Sequence, residues 1–206
     1  MKSKRIAALA LLATLTIGGA KAFAQASNST IPKDKLMTEK VAAQRVKTSE
    51  EKAVEKAVNA FEKYLDIKVE SKALKAELIE QGGQKSLLVR NKNLNKDKIR
   101  YTALIDTKTD KILNLECYDK TAKGDNKEFN LEEAKGRAID FIKKNNLLDV
   151  NKAQFDEASS KEVSKEANAY FMYFKYDNNK KLLVSIDKAS DKVQSFIFLD
   201  EINSVG

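Results

Sequence analysis

Four aspartates recur as two equally spaced pairs: Asp106 with Asp110, and Asp187 with Asp191, 81 residues further on. Paired carboxylates can bind a divalent cation or share acid–base work. A calcium loop, however, needs roughly six to eight oxygen ligands and usually a Gly for its turn. Neither segment has that Gly or a third carboxylate close by. The pairs therefore read as hairpin corners, where an Asp accepts hydrogen bonds from nearby backbone N–H groups. A hydrolase working with carboxylates alone, through Asp106 and Asp187, is the weaker reading.

Other reactive residue types are scarce. The 206 residues include no His and a single Cys, Cys117. That removes Ser-His-Asp and Cys-His catalysis, every His-containing metal site and any intrachain disulfide. Cys117 falls on Phe198 at the 81-residue offset, so it reads as a small hydrophobe on the apolar face of a strand. The chain contains no P-loop, Gly-rich dinucleotide fingerprint, C-x-x-C or G-x-S-x-G motif. These absences predict a non-enzyme with no catalytic, cofactor or metal residues. The densest aromatic run spans 170–176, and Tyr170, Met172, Phe174 and Tyr176 are its candidate partner-binding surface. A strand with one buried face cannot hide both sides of such a run.

The elements that would position these residues emerge from the same offset. Ala57-Val58 falls on Ala138-Ile139, Phe61 on Ile142, Ile105-Asp106 on Ile186-Asp187, and Leu115 on Phe196, with no gap. A fixed period usually marks a repeated structural unit. Each copy begins with an amphipathic helix. Ala53, Ala57, Phe61 and Leu65 make one stripe; Ala134, Ala138, Phe141 and Ile142 make the other. Thr48 with Glu51 resembles a capping box, Asn130 with Glu133 offers a similar start, and Asn145-Asn146 marks an end. Alternating apolar residues then predict strands at 72–80, 85–91, 98–106 and 111–119 in copy one. In copy two they predict strands at 153–158, 167–176, 180–187 and 192–200. The expected fold is α+β: two tandem repeats, 48–120 and 130–201, each one helix packed on a 3–4-stranded antiparallel sheet.

The N-terminal residues have a different character. Lys2, Lys4 and Arg5 precede an apolar run, 6–17, and small residues then sit two apart at Ala22, Ala24 and Ala26. This is the pattern of a secretory signal peptide, 1–26, with an A-x-A cleavage site. The run is too short for a comfortable membrane span, so no span is expected after cleavage. Residues 27–47 read as a flexible polar tether. Removing 1–26, with its four basic and no acidic residues, lowers the net charge from +8 to +4. Such a weakly basic, well-mixed chain lacks the concentrated patch that nucleic-acid binding needs.

The segment from Leu104 to Ile112 carries a resemblance. Leu104, Ile105, Asp106, Thr109 and Ile112 resemble the closing motif of the PepSY domain and of the related YcdB/YcdC-type repeated domain. In the second copy Ile186, Asp187, Ser190 and Val193 fit, while Ser185 replaces the first apolar residue. Both copies carry Asp, at Asp110 and Asp191, where the family usually has Gly. The resemblance implies a bacterial, secreted or extracytoplasmic cell-envelope module of the kind found in metallopeptidase propeptides. It carries over no inhibitory residue. The reading is a secreted, non-enzymatic binding or regulatory module with peptidase regulation as one role; the alternative is a structural or adhesive envelope protein. The corresponding partners are a secreted peptidase or a cell-wall polymer. Mass spectrometry of the secreted chain should place its first residue at Gln25 or Ser27; a secreted form that keeps Met1 overturns the leader.

Overall fold

The protein is seen in a computed structural model that describes residues 47–81, 83–121, 130–165, 167–178 and 180–203. The expected leader, and all of the expected tether except Lys47, lie outside the described residues.

Both expected helices form, with their caps. Helix α1, Ser49–Leu65, starts at a complete capping box: Glu51 N donates to Thr48 Oγ1 at 3.2 Å, and Thr48 N donates to Glu51 Oε2 at 3.0 Å. Helix α2, Leu131–Asn145, starts where Glu133 N donates to Asn130 Oδ1 at 3.0 Å. Each ends on a left-handed residue, Asp66 (φ 57°) and Asn146 (φ 50°), whose N–H caps carbonyls of the last turn. Buried Ala53, Ala57, Ala60 and Phe61 face the sheet from α1; Ala134, Ala138 and Ile142 do so from α2. Small residues at these positions let the helix backbones approach the strands closely.

The strands are β1 (Leu74–Gln81), β2 (Gln84–Asn91), β3 (Ile99–Asp106), β4 (Ile112–Asp119), β5 (Gln154–Phe155), β6 (Ala169–Tyr176), β7 (Lys180–Asp187) and β8 (Val193–Phe198). They form a single antiparallel sheet in the order β1-β2-β3-β4-β8-β7-β6-β5. The expected α+β class is present, but the two halves do not keep separate sheets. They join through β4 and β8, with Asn114 opposite Ile197, Leu115 opposite Phe196, and Glu116 opposite Ser195. Left apart, β4 and β8 would each expose a row of unpaired backbone groups. Pairing them satisfies both rows and makes one continuous core. Phe196 sits at its centre, with ring centroids 5.4 Å from Tyr64 of α1 and 6.0 Å from Phe141 of α2.

Two local expectations are corrected. The strand expected at 153–158 shrinks to β5, because Asp156 turns the chain into a third helix, α3, Glu157–Ser164. Asp156 caps α3 by accepting from Ser159 N at 3.2 Å. The strand expected to reach residue 200 ends at Phe198, and Leu199–Asn203 forms a short helix, α4. There Asp200 Oδ2 accepts from Lys181 N at 2.5 Å. None of the helices among the described residues is long and apolar enough to cross a membrane.

Helix α3 takes the place of an edge strand. Its Ser160 and Ser164, one turn apart and fully buried, face the outer edge of β6. Tyr173 N donates to Ser160 Oγ at 3.0 Å and Phe171 N to Ser164 Oγ at 2.7 Å. Lys188 Nζ donates to Ser164 O at 2.8 Å, placing a cation at the C-terminal end of α3. Substituting Phe196 with Ala should destabilise the protein by about 3–5 kcal/mol in urea unfolding. A loss below about 1 kcal/mol would mean that the junction between the halves is not the centre of the core.

Candidate functional site

The corner aspartates are held alike in the two halves. Asp106 Oδ1 accepts from Lys108 N at 2.8 Å, Thr109 N at 2.7 Å and Thr109 Oγ1 at 3.1 Å. Gln84 Nε2 donates to Asp106 Oδ2 at 2.7 Å. Asp187 accepts from Ala189 N at 3.4 Å, Ser190 N at 3.1 Å and Ser190 Oγ at 2.6 Å. Each carboxylate is thereby committed to its own turn. Asp110 and Asp191 both sit at φ 57°, the left-handed region where Gly is the usual choice and Asp is tolerated. Each also meets a cation from the helix above: Lys56 of α1 pairs with Asp110, and Arg137 of α2 lies 3.6 Å from Asp191. Lys56 and Arg137 are themselves 81 residues apart. After each corner the pairing slips by one residue, at Leu113 and at Gln194.

No cluster of three or more potential metal-ligating side chains exists among the described residues. A shallow cavity of about 310 Å³ beside the first corner is bordered by Gln84, Asp106, Lys180, Asp200 and Glu201. Its carboxylates are already engaged: Asp106 and Asp200 as above, and Glu201 with Lys111 at 2.8 Å and the Tyr176 hydroxyl at 3.0 Å. Cys117 is half-buried against the core; burial, with Asp119 and Glu116 nearby, pushes its thiol up to about 11. A thiol so raised stays protonated and is a poor nucleophile at neutral pH.

The candidate surface at residues 170–176 lies largely inside the protein. Tyr170, Met172 and Phe174 are buried in the core under the helices. Tyr176 packs half-buried against it, its hydroxyl on Glu201. On the other face of the strand Tyr173 is also buried, and Phe171 is partly so. The run is hidden on both sides because β6 is flanked by β7 and by α3 as well as facing the core.

What the sequence reading missed is the sheet face turned away from α1 and α2. Alternation and register place Glu77, Arg90, Arg100, Thr102, Asn114, Glu116, Ser195 and Ser185 on that face, spread over the six neighbouring strands from β1 to β7. Arg90 pairs with Glu77, and Arg100 with Glu116, each at 2.5 Å. The Arg100 guanidinium carbon lies 5.4 Å from the centroid of the Tyr118 ring. Thr102, Asn114, Glu116, Ser185 and Ser195 are all buried, although α1 and α2 pack on the opposite side. Their shielding comes from neighbouring side chains and, at one end, from α4, where Ile202 lines a crevice with Ile79, Ser86 and Leu104. Among the described residues five atoms here are buried without a hydrogen-bond partner: Glu77 Oε1, which has only its ion pair with Arg90, and Arg90 Nε, Arg100 Nε, Asn114 Oδ1 and Glu116 Oε2. A buried polar atom left unpaired costs about 1–3 kcal/mol, so each has something to gain from a partner. The signal available in the sequence was a run of polar residues at alternate strand positions, Arg100-Thr102 and Asn114-Glu116. It reads like any solvated face.

Comparison with known protein families, with curated proteins and with solved structures finds no match to the chain. The family resemblance therefore rests on the closing-motif residues alone.

The turn around Asp106 makes stability depend on pH. The Thr109 backbone N–H, with Gln84, Lys108 and the Thr109 hydroxyl, holds the Asp106 carboxyl below its ordinary value. A lowered folded-state value contributes stability above the unfolded value, about 3.9, that is lost as pH falls through the folded value. Asp106→Asn should thus unfold at lower urea than wild type at pH 7, and the gap should narrow below about pH 4. A gap that is unchanged down to about pH 2 would remove Asp106 as the anchor of the turn.

Proposed function

We propose that the chain is a secreted, non-enzymatic binding or regulatory module that acts through the open face of its sheet, with a secreted peptidase as its partner. The observation that carries this reading is the combination on that face of two Arg–carboxylate pairs and buried, unpartnered polar atoms. The Arg90 and Arg100 side chains keep 26% and 27% of their surface exposed, so a docked carboxylate can reach their guanidinium donors. The cleavable N-terminal pattern supports export.

A finer reading of the fold belongs to the same proposal: two PepSY-like units, 48–120 and 130–201, descended from one sequence and fused edge to edge. Its support is local geometry that recurs 81 residues apart. Strands β3 and β7 coincide at that offset, as do the left-handed aspartates, the slips at Leu113 and Gln194, and the helix cations Lys56 and Arg137. The β4–β8 pairing is symmetric about Leu115 and Phe196, which are themselves equivalent. The units differ at their outer edges, where one has β1 and the other has β5 and α3.

The test is addition of the secreted chain to the peptidases in the producing cells' own culture medium. Peptidase activity should fall, and the variant Arg100→Gln/Glu116→Gln should be weaker by at least about tenfold. No effect of the wild-type chain on any of these peptidases removes the peptidase role. An effect that survives the double substitution moves the contact off this face.

A further inference from the structure

The two edges of the sheet are finished differently. At one, β6 is paired with β5 through Phe155 and Phe174, and its remaining amides are taken by Ser160 and Ser164. At the other, β1 pairs with β2 along all eight residues and has no strand beyond it among the described residues. Lys92 N donates to Ala73 O at 2.9 Å, which fixes the alternation: odd-numbered residues of β1 bond to β2. The backbone groups of Ala76, Leu78 and Glu80 therefore point outward. Leu78 is 56% exposed on this edge.

We infer that β1 is a dimerisation edge that pairs antiparallel with β1 of a second copy, in the register that sets Ala76 opposite Ala76. Charge complementarity selects both the occupant and the register. On the open face this register puts Lys75 opposite Glu77 of the second copy, and Glu77 opposite its Lys75. On the helix face it puts Leu78 over Leu74 of the second copy, and the reverse. Sliding by one residue in each chain sets Glu77 against Glu77, a like-charge pair that is destabilising. Charges on an edge strand commonly block pairing; here the two signs alternate so that the strand complements itself. Lys75 is exposed and holds no carboxylate among the described residues, whereas Glu77 pairs with Arg90 through Oε1 and leaves Oε2 for a second cation. Because only this edge lacks a cover among the described residues, the contact is isologous and closes at two copies.

Sedimentation of the secreted chain with residue-resolved hydrogen exchange tests this. At about 100 µM wild type should be a dimer, and the Ala76 and Leu78 amides should exchange more slowly as concentration rises. Lys75→Glu and Leu78→Lys should each weaken the dimer by at least about tenfold, and Lys75→Glu/Glu77→Lys should restore it. At concentrations low enough that both are monomers, Leu78→Lys should keep the wild-type unfolding midpoint, since the side chain is exposed. A monomer at that concentration, or a dimer indifferent to Leu78→Lys, overturns the inference. So does a monomer whose Ala76 and Leu78 amides are slow at every concentration, since the edge is then covered from within the chain.

Discussion

The pairing of β4 with β8 is the contact on which the rest of the molecule depends. Each half brings one long helix and a few strands, too little to enclose a core of its own. Joining the two inner strands removes two exposed edges and lets one hydrophobic layer run beneath both helices. Phe196 is where this matters most: its ring meets aromatic side chains from α1 and α2 and abuts Phe198 at 6.1 Å. Because Leu115 and Phe196 face each other across the seam, the junction is filled by one aliphatic and one aromatic side chain. The two halves form one layer of eight strands with a shared interior.

Closing the inner edges leaves the outer ones, and the two halves solve that problem differently. In the second half the chain turns at Asp156 and lays α3 along β6, with two serines supplying acceptors to strand amides. A hydroxyl on a helix is a good cover for an edge: it satisfies the N–H groups and offers no new row of donors to another chain. The first half has no such helix among the described residues, and β1 carries its own alternating charges. The corner aspartates follow the same economy of parts. At Asp110 and Asp191 the left-handed backbone would suit Gly, but Asp tolerates it and gains an ion pair to the helix above. Surface pairs of this kind contribute little energy, yet they tie each helix to its hairpin at the same point.

Patterns that depend on local chemistry could be read from the residues. The capping box at Thr48 and Glu51, the ends of α1 and α2, and the alternation in β3 and β7 follow from spacing and propensity alone. What could not be read depends on which elements become neighbours. The segment after Phe155 reads as strand because Phe155 itself is strand-like, and nothing local shows that Ser160 and Ser164 face a bare edge. The aromatic run at 170–176 looked like an exposed surface because a strand was assumed to have one wet face; α3, invisible in the pattern, removes it. The open face was missed for the converse reason. Arg100, Asn114 and Glu116 are polar and alternate with apolar residues, which implies solvent, whereas packing across four strands buries two of them.

That open face raises a physical question: why a sheet would bury charge on a side that no long helix among the described residues covers. An apolar face there would be a broad exposed patch, the kind that drives association. Fully solvated lysines would avoid that, but they hold no fixed geometry. Arg–carboxylate pairs laid across strands lie between these extremes. Each guanidinium packs its stem on the sheet and fixes its carboxylate in one position, at 2.5 Å in both pairs. Removing Arg100 leaves the buried Glu116 carboxylate uncompensated, which costs more than the pair contributes. The arrangement is thus weak as a source of stability and strong as a way of holding polar atoms in place. Stability comes from the helix side, through Phe196 and its neighbours; the other side is free to present a fixed pattern of donors and acceptors.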